Sequence, residues 1–563
     1  MGTKKSYVCG TSTKPLLFET IGERLQTAAD VHSNQEALVF CASGDRMTYS
    51  ELNHAADKLA VGLLELGLDT GDRIGIWSPN KLEWVVTLFA SAKIGLILVN
   101  INPAYRISEL EHALNQVECK ALVTACSFKS SDYVSMIKEL APEISEDAEK
   151  GLNSKRLPHL EHLIAITDQD IDGFYRFDEI SRELSEESTV LLSEKAHSLN
   201  PDDPINIQFT SGTTGLPKGA TLSHFNILNN AYSVGDAMKF TAKDRLCIPV
   251  PLYHCFGMVM GVLCCLTHGA TMIFPGEGFE PLDVLVAVEK EKCTALHGVP
   301  TMFTAELSHA DFDKTNFSSL RTGVMAGAPC PVEVMKQVQS LMKMDEVTIA
   351  YGMTETSPVS FQSSTDDPLE KRVSTVGRIM PHVQVKIINE DGTIVNRDEQ
   401  GELCTRGYSV MSGYWNDHEK SAEAVDSSGW MHTGDLAVID SEGYCNIVGR
   451  VKDMIIRGGE NIYPREIEEY LYRHPKIQDV AVFGVPDNKY GEAVATWIQV
   501  KSGETCSEEE ILEFCDNQIA HYKVPAYIEF VSEFPMTVTG KIQKFVMRDN
   551  MIGKHNLTVA KTA

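Results

Sequence analysis

The sequence has few of the features that define metal-bound or disulfide-stapled proteins. Its 14 cysteines contain no CxxC pair, and no other metal-ligand spacing occurs. Cys264 and Cys265 are adjacent in the chain, which is too close for a normal disulfide bridge. We therefore interpret the cysteines as reduced thiols in a reducing compartment.

Long apolar runs and basic charge are also scarce. No stretch of about 20 uninterrupted apolar residues occurs, so we predict no transmembrane segment. The nearest approach, 84–99, is broken by Lys93 and predicts a helix followed by a buried strand. The chain has 50 Lys and Arg against 78 Asp and Glu, and its net charge of −28 repels nucleic acid. We expect small-molecule substrates, and a site for an anionic one must be locally basic in this chain.

The remaining composition is typical of a large globular protein. The 563 residues are 43% apolar and 23% charged, which is enough for several domains. Helical and strand patterns alternate from about residue 18 to residue 547, and this alternation predicts an α/β fold. Ser50 is the predicted N-cap of a helix whose buried face consists of Leu52, Ala55, Leu59 and Leu63.

The clearest domain boundary falls at 449–453. After it the chain restarts as a unit of about 110 residues. Pro464 can start one helix of this unit, and Ser507 with Glu510 predicts a capping box before another. Two domains joined at one point suggest that the smaller one moves. We predict a loose N-terminus at 1–14, a large domain at 15–451 and a small domain at 452–563.

The most informative stretch is 210–219, with the sequence TSGTTGLPKG. It cannot pack into a core, but its hydroxyls, its backbone N–H groups and Lys218 suit phosphate. It follows a strand-like segment and precedes Ser223, a predicted N-cap, so we predict a strand–loop–helix connection. It is not the P-loop pattern, because Pro217 and Gly219 flank the lysine. The alternative is a flexible linker, and a Pro-Lys-Gly turn between two patterned elements argues against it.

Two further motifs carry acidic side chains. The segment YGMTE at 351–355 follows a strand-like segment, and a hydroxyl with a carboxylate at the end of a strand suits phosphate and Mg²⁺. The segment WMHTGD at 430–435 places Asp435 after a glycine, where its carboxylate could take two ribose hydroxyls. The alternatives are a surface turn for the first motif and a turn-initiating Asp for the second.

Three weaker motifs have plainer alternatives. The AGAP segment at 326–329 is small and rigid enough for a flat purine to lie on its backbone, or it is an ordinary loop. Tyr253 and His254 lead into an apolar run and could gate an apolar pocket, or His254 is a core histidine. Lys541 follows Thr-Gly, a mobile lead that could deliver an ammonium elsewhere, or it is a solvated surface lysine.

Together these motifs resemble the acyl-adenylate-forming superfamily, which includes acyl-CoA synthetases, firefly luciferase and peptide-synthetase adenylation domains. The segments TSGTTGLPKG, PLYH, AGAP, YGMTE, HTGD, GRVKDMIIRGGENIYP and TGKIQK occur in the family order and at family-like separations across 210–544. The segments INIQFTSGTTGLPKGATLSH, ELCTRGY and HYKVPAYIEFV look most similar to acyl-CoA synthetases of medium-chain fatty acids. The resemblance implies a large N-terminal domain of stacked α/β sheets plus a small β-barrel, and a small mobile α+β C-terminal lid.

The resemblance also implies an AMP-forming fatty acyl-CoA ligase that uses ATP, Mg²⁺ and coenzyme A. A fatty carboxylate would attack the α-phosphorus of ATP to give acyl-AMP and pyrophosphate, and the thiol of coenzyme A would then displace AMP. Joining the carboxylate to AMP supplies the leaving group that a free carboxylate lacks. The implied location is the mitochondrial matrix, with the cytoplasm as the alternative, and no transit peptide is visible in the sequence.

Roles of individual residues follow from the same resemblance. Lys541 would neutralise charge between carboxylate and α-phosphate, Thr354 would touch the α-phosphate, and Glu355 would bind Mg²⁺. His254 would border the acyl site, and Lys452 would be the hinge that withdraws Lys541. The remaining expected ligand contacts are Thr210, Ser211, Gly212, Thr213, Thr214, Gly215, Leu216, Pro217 and Lys218 for the β,γ-phosphates, Gly327, Ala328, Pro329 and Tyr351 for adenine, Asp435 and Arg450 for ribose, and Gly458 and Gly459 for coenzyme A.

The sequence argues against other activities of the superfamily to different degrees. A peptide-synthetase adenylation domain carries an Asp for the substrate ammonium near His254, and 253–257 contains none. An inactive nucleotide-binding scaffold is opposed by the presence of Lys218, Glu355 and Lys541. A luciferase-like oxygenase, or a ligase for another carboxylic acid, shares the fold and stays open as the alternative.

Overall fold

Strands and helices alternate along most of the chain, as the α/β pattern predicts. The computed structural model describes residues 4–144, 151–210, 217–328, 330–450, 453–457, 460–487, 489–516, 518–537 and 542–557.

The strands of these residues, in chain order, are β1 (Tyr7–Cys9), β2 (Glu36–Phe40), β3 (Arg46–Thr48), β4 (Arg73–Trp77), β5 (Ile97–Asn100), β6 (Ala121–Ala125), β7 (Ser127–Phe128), β8 (Ser131–Asp132), β9 (His162–Ile166), β10 (Tyr175–Arg176), β11 (Pro204–Thr210), β12 (Lys218–Ser223), β13 (Arg245–Cys247), β14 (Thr271–Phe274), β15 (Ala295–Leu296), β16 (Thr322–Met325), β17 (Glu346–Gly352), β18 (Val359–Gln362), β19 (Arg378–Ile379), β20 (Val383–Ile388), β21 (Gly401–Gly407), β22 (Gly413–Tyr414), β23 (Met431–Ile439), β24 (Cys445–Arg450), β25 (Ile455–Arg457), β26 (Glu460–Ile462), β27 (Ile477–Asp487), β28 (Gly491–Val500) and β29 (Tyr527–Phe530).

The α-helices are α1 (Ile21–Val31), α2 (Tyr49–Glu65), α3 (Leu82–Ile94), α4 (Ile107–Gln116), α5 (Tyr133–Leu140), α6 (Phe177–Ile180), α7 (Glu186–Ser198), α8 (His224–Ala237), α9 (Cys255–Gly257), α10 (Cys264–His268), α11 (Pro281–Lys290), α12 (Pro300–Leu307), α13 (Val332–Leu341), α14 (Leu369–Ser374), α15 (His418–Ala424), α16 (Pro464–Leu471), α17 (Glu508–Cys515) and α18 (Lys544–His555). A π-helical stretch, Met258–Leu263, joins α9 to α10, and short 3-10 helices cover Phe312–Lys314, Thr354–Thr356 and His521–Lys523.

Two large, mostly parallel sheets form the centre of the N-terminal region. The first has eight strands in the order β10-β9-β6-β4-β5-β11-β12-β22, and the second has nine in the order β19-β18-β17-β16-β15-β13-β14-β2-β3. Central strands such as β6 are buried along their whole length, which is usual where helices cover both faces of a sheet. Helix α8 lies between the sheets, because it contacts β11 and β12 of the first and β18 of the second.

A five-stranded antiparallel sheet with the open order β1-β20-β21-β23-β24 occurs where the resemblance implies a small β-barrel. Its first strand corrects the expectation that residues 1–14 are loose. The backbone of β1 pairs with β20, where Val8 lies opposite Val385. A three-residue strand is too short for a sequence pattern, and its stability comes from a partner far along the chain.

The C-terminal region has its own sheet and its own apolar cores. Its strand order is β26-β25-β28-β27, with β29 parallel to β28. Successive residues of β27 face opposite sides, so Val480 and Val482 pack with α16 and α17, while Ala481 and Phe483 pack with α18. Such a unit fits the predicted small domain, whose proposed boundary at 451–452 lies outside the described residues.

The segment around the phosphate-type loop differs from the predicted strand–loop–helix connection. Strands β11 and β12 form an antiparallel pair in which Thr210 lies opposite Lys218, and α8 begins only after Ser223. Pairing with β22 on its other side stabilises β12, a contact that no local pattern announces. The loop therefore connects two strands and does not lead directly into a helix. Ser223 caps α8 as predicted, since its Oγ accepts the N–H of Asn226.

In the described part of the chain, every helix is too short or too polar to span a bilayer. All 14 cysteines are free thiols, and Cys264 and Cys265 are buried in the apolar core. The run at 84–99 is a helix and a buried strand, α3 and β5, as predicted.

Candidate active site

The candidate site lies at the carboxyl ends of β16 and β17. These strands are parallel neighbours, with Met325 opposite Ile349, so they end at the same edge of the nine-stranded sheet. Gly327 and Ala328 follow β16, while Tyr351 is near the end of β17. Gly327 has a φ of +87°, a conformation that glycine adopts without strain. Ligands of open α/β sheets bind at this kind of edge.

Glu355 connects this edge to the eight-stranded sheet. Its Oε1 accepts hydrogen bonds from Thr210 Oγ1 at 3.2 Å and from the Tyr414 hydroxyl at 2.8 Å. The glutamate is 6% exposed. Burial and the charge of Glu355 raise the pKa of Tyr414 well above its ordinary value, so the phenol remains a donor. Both of these hydrogen bonds are accepted by Oε1. The other carboxylate oxygen, Oε2, accepts no hydrogen bond from the described residues and could bind a cation or a water.

Lys218 lies over the ring of the same tyrosine. Its Nζ is 4.2 Å from the centroid of the Tyr414 ring, a cation–π distance. An ammonium and a carboxylate are thus held on one aromatic side chain. Sequence reasoning missed Tyr414, although an aromatic pair after a glycine, Gly413-Tyr-Trp415, could have pointed to it.

Asp435 forms a second polar centre. Its Oδ2 accepts from the Tyr351 hydroxyl at 2.6 Å, and its Oδ1 accepts from Arg450 Nε at 3.1 Å. The carboxylate is 7% exposed. Burial and the neighbouring charge of Asp435 raise the pKa of Tyr351, which keeps this hydroxyl protonated. Tyr351 therefore joins the β17 edge to the five-stranded sheet.

A local irregularity in β23 places Asp435. Cys404 pairs with His432 and Glu402 with Leu436, so the segment between His432 and Leu436 has more residues than the opposite strand needs. Within it, Gly434 has a φ of +69°. Bulges of this kind re-aim side chains next to functional sites. The alternative interpretation of Asp435 as a turn-initiating residue is therefore wrong, because the motif is a bulged strand.

Thr354 and His254 meet through a cysteine. The sulfur of Cys255 lies 3.8 Å from Thr354 Oγ1 and 3.8 Å from His254 Nδ1. His254 is also the N-cap of α9, because its Nδ1 accepts the N–H of Phe256 at 3.1 Å. The imidazole is thus oriented by the backbone N–H of Phe256, two residues further along the chain.

A mostly apolar cavity of about 310 Å³ opens beside Tyr253. It combines walls from both regions of the chain, including Phe128, Pro251, Tyr253, Phe279, Met302, Met536 and Thr537. Lys541 is four residues after Thr537 in the sequence, and four fully extended residues span at most about 14 Å. A second contact between the regions is the hydrogen bond from Arg465 Nη1 to the Ile447 carbonyl at 2.6 Å.

Several predicted site residues lie outside the described residues. These are Ser211, Gly212, Thr213, Thr214, Gly215, Leu216, Pro329, Lys452, Gly458, Gly459 and Lys541. Seven of the described ones form two groups, with Thr210, Lys218, Thr354 and Glu355 in the first and Tyr351, Asp435 and Arg450 in the second. The hydrogen bonds and the cation–π contact that join these groups do not include Gly327, Ala328 or His254. Pro217 adjoins the first group, where its carbonyl lies 3.3 Å from His112 Nε2.

The fold and the order of these sites define an AMP-binding enzyme. The family described as AMP-binding enzyme matches residues 25–415, and its C-terminal domain matches 466–541. The chain belongs to this family, which is the superfamily that its motifs resemble.

Individual relatives cover nearly the whole chain. YngI of Bacillus subtilis (strain 168) is 48% identical over 545 residues, which are 96% of this chain and 99% of that protein. Medium-chain acyl-CoA ligase ACSF2, mitochondrial, of Danio rerio is 47% identical over 97% of this chain and 90% of its own. The crystal structure of the anthranilate CoA ligase AuaEII with anthranoyl-AMP superposes with a TM-score of 0.83 at 26% identity, covering 97% of this chain and 99% of that one.

Proposed function

We propose that this protein is an AMP-forming acyl-CoA ligase that acts on medium-chain fatty acids. One observation carries the proposal. A buried carboxylate, Glu355, and a cation, Lys218, share the Tyr414 ring in the same site as the Asp435–Arg450 pair. The names of the relatives support coenzyme A as the acyl acceptor and a medium-chain acid as the substrate.

In the first half-reaction, a carboxylate oxygen of the fatty acid attacks the α-phosphorus of ATP. The bond from the α-phosphorus to the bridging oxygen breaks, and pyrophosphate leaves with the electron pair. Lys218 and Thr210 would hold the β,γ-phosphates, and Thr354 would contact the α-phosphate. This assignment agrees with phosphoryl transfer that depends on positioning and charge neutralisation.

The donor set around Glu355 fits Mg²⁺. The carboxylate of Glu355 and the hydroxyl of Thr210 lie side by side, and both offer the hard oxygen ligands that this ion prefers. Bound there, Mg²⁺ would neutralise negative charge on the phosphates. Tyr414 would orient the carboxylate by donating to its other oxygen.

Nucleoside binding would use the second polar centre. Asp435 is already oriented by Tyr351 and Arg450, so its carboxylate is fixed before two ribose hydroxyls arrive. Gly327 and Ala328 would lie against adenine, together with Pro329. The acyl chain would occupy the apolar cavity beside Tyr253 and His254.

In the second half-reaction, the coenzyme A sulfur attacks the acyl carbonyl, the carbon–oxygen bond to AMP breaks, and the thiol proton is released. We propose that rotation at Lys452 moves the small domain between the two steps. Lys541 would then withdraw, and Gly458 and Gly459 would approach the pantetheine. The apolar wall formed by Met536 supports the orientation in which Lys541 is near the acid.

Thioester formation tests the proposal. Purified protein is given ATP, Mg²⁺, coenzyme A and saturated acids from short to long chain. We expect pyrophosphate release that needs both acid and ATP, and thioester yields that peak at medium length. Light with oxygen uptake and no thioester would instead indicate the luciferase-like alternative, and activity on an unrelated acid would replace the substrate.

We propose the mitochondrial matrix as the compartment, on the name of the Danio rerio relative. A bacterial relative has a similar identity to this chain. The compartment is therefore proposed separately from the activity. Fractionation of cells that express the natural gene tests it, and recovery in the cytoplasm would contradict it.

A further inference from the structure

Outside the active site, the described part of the chain holds two clusters that combine Cys, His and Glu closely enough to share a metal ion. The first consists of Glu402 and Cys404 on β21 and His432 on β23, and we call it the β21–β23 cluster. The second consists of His474, Cys506 and Glu510. In the second, Lys476 Nζ lies 2.8 Å from Glu510 Oε1 and 2.9 Å from Oε2, so both candidate ligand oxygens of this glutamate are already paired. The β21–β23 cluster is therefore the stronger candidate.

The strand pairing produces the β21–β23 cluster. Cys404 and His432 lie opposite each other in the antiparallel pair, and Glu402 precedes the cysteine by two residues. Cross-strand neighbours are the closest side chains in a sheet. The three residues are 30 positions apart in sequence at their extremes, so no local motif reveals them.

Two of the three distances between ligand atoms match those of a tetrahedral zinc site, and the third, from sulfur to carboxylate oxygen, is within 4.8 Å. With Zn–S near 2.3 Å and Zn–N and Zn–O near 2.0 Å, tetrahedral angles require about 3.5 Å from sulfur to nitrogen and about 3.3 Å from nitrogen to oxygen. The observed distances are 3.6 Å from Cys404 Sγ to His432 Nδ1 and 3.2 Å from that nitrogen to Glu402 Oε2.

A second carboxylate faces the other nitrogen of the imidazole. Asp426 Oδ2 lies 3.8 Å from His432 Nε2, close enough to orient the ring through a water. Cys404 is buried, whereas the side chains of Glu402 and His432 are 27% and 31% exposed. An ion can thus enter from solvent and reach a sulfur that is shielded.

The simpler arrangement is a hydrogen bond from the His432 imidazole to Glu402 with a protonated thiol beside it. Burial and the carboxylates of Glu402 and Asp426 raise the pKa of Cys404, while Lys386 lowers it. A metal would have to displace the thiol proton, which is the usual cost of thiolate coordination. The two arrangements differ in whether the sulfur is bonded to an ion.

We propose that the β21–β23 cluster binds one Zn²⁺ through Cys404 Sγ, His432 Nδ1 and Glu402 Oε2. Thiolate and imidazole select borderline-soft cations, so the Mg²⁺ of the active site does not compete. Glu402 Oε1 accepts the N–H of Gly434 at 3.3 Å, and Gly434 adjoins Asp435. The ion therefore fastens the bulge that carries the proposed ribose carboxylate.

Cobalt provides a direct test, because a Co²⁺–thiolate bond absorbs in the near ultraviolet. The full-length protein is stripped of metal and titrated anaerobically with Co²⁺. We expect the band to saturate at one equivalent and to disappear when one equivalent of Zn²⁺ is added. C404S should lack the band, and the matched variant C506S, in the second cluster, should keep it.

H432Q retains the thiol and covers the case in which C404S does not fold. It should bind Zn²⁺ at least tenfold more weakly, and Zn²⁺ should raise the thermal midpoint of the parent and of C506S but not of H432Q. Absence of a cobalt–thiolate band in the parent would overturn the proposal. A band that survives in both C404S and H432Q, or that is lost in C506S, would overturn it too.

Discussion

Tyr414 contacts a cation with its ring and an anion with its hydroxyl. The hydroxyl donates to Glu355 at 2.8 Å, and Lys218 Nζ lies 4.2 Å from the ring centroid. The two groups contact different parts of the tyrosine, the ring face and the hydroxyl, so one side chain positions both of them. Loss of such preorganisation is costly, because preorganised groups do not have to reorient at the moment of reaction.

Tyr414→Phe is expected to lower kcat/KM for ATP by about 10- to 100-fold. The ring stays under Lys218, but Glu355 loses a hydrogen bond to a charged group, worth about 1.5–3 kcal/mol. Steady-state pyrophosphate release measures the effect. Tyr444→Phe is the matched control, because its hydroxyl donates to another carboxylate, that of Asp367, at 2.8 Å. An equal loss in both variants would contradict a specific role for Tyr414.

A buried histidine makes stability depend on pH. His297 Nε2 lies 3.0 Å from the Met260 carbonyl, to which it donates, and Nδ1 accepts the N–H of Val324. The bond from Val324 requires the neutral ring, because Nδ1 can accept only when it carries no proton, and burial lowers the pKa of His297 to about 4. Below the ordinary value of about 6.5, the unfolded state binds more protons than the folded state, so acid favours unfolding.

We expect the urea midpoint of unfolding to fall as pH drops from about 6.5 to about 4. His297 should contribute about 1.4 kcal/mol per pH unit within this window. The His297→Asn variant should be less stable at pH 7.5 but show a flatter pH dependence below 6.5. His418→Gln, at an exposed histidine, should keep the parent slope. A slope unchanged in His297→Asn would count against this assignment.

At the scale of elements, close approach of β17 and β18 holds the turn that carries Thr354 and Glu355. Gly352 lies opposite Val359, and a Cβ at this glycine would come within 1.8 Å of the Pro358 carbonyl oxygen. Backbone atoms cannot yield as a flexible side chain can. The site therefore depends on the contact between β17 and β18 as well as on its own residues.

Gly352→Ala is expected to destabilise the protein by about 2 kcal/mol or more and to lower adenylation at least tenfold. The strand ends must separate, which displaces the turn carrying Glu355. Thermal unfolding and pyrophosphate release measure the two effects. Gly553→Ala is the control, because a Cβ there meets no atom within 4 Å. Full activity in Gly352→Ala would show that the turn tolerates the movement.

Local sequence signals predicted element ends where the partners are local. Ser223 and Pro464 stand at the starts of α8 and α16 as predicted. The prediction of Ser50 as an N-cap is wrong, because Thr48 caps α2 and accepts the N–H of Glu51. Ser507 caps α17, but Glu510 binds Lys476, which is distant in sequence. Competing tertiary partners therefore explain why one half of the predicted capping box is used elsewhere.

At the scale of the whole molecule, the cavity has walls from both regions of the chain. Met536 and Thr537 come from the C-terminal region, while Tyr253 and Met302 come from the N-terminal region. Residues so far apart in sequence form one pocket only when the regions are docked. The proposed domain motion would open this pocket, which gives it a direct effect on the two half-reactions.

Lys541→Ala is expected to lower acyl-AMP formation by a hundredfold or more, about 2.7 kcal/mol. Thioester formation from supplied acyl-AMP should stay within a few-fold of the parent, because that step does not need this cation. Single-turnover assays of each half-reaction separate the two. Lys554→Ala, which removes a surface lysine paired with Glu529, is the control. Equal losses in both half-reactions would remove Lys541 from its proposed role.

The sequence by itself determined the family, the α/β class and most of the proposed nucleotide residues, because these depend on short motifs whose chemistry is local. Only the tertiary structure placed Tyr414 between Glu355 and Lys218, made a bulged strand of the Asp435 motif, and brought Cys404 to His432. Those arrangements depend on strand register between distant segments. Register is fixed by the packing of whole sheets, so no short stretch of sequence contains it.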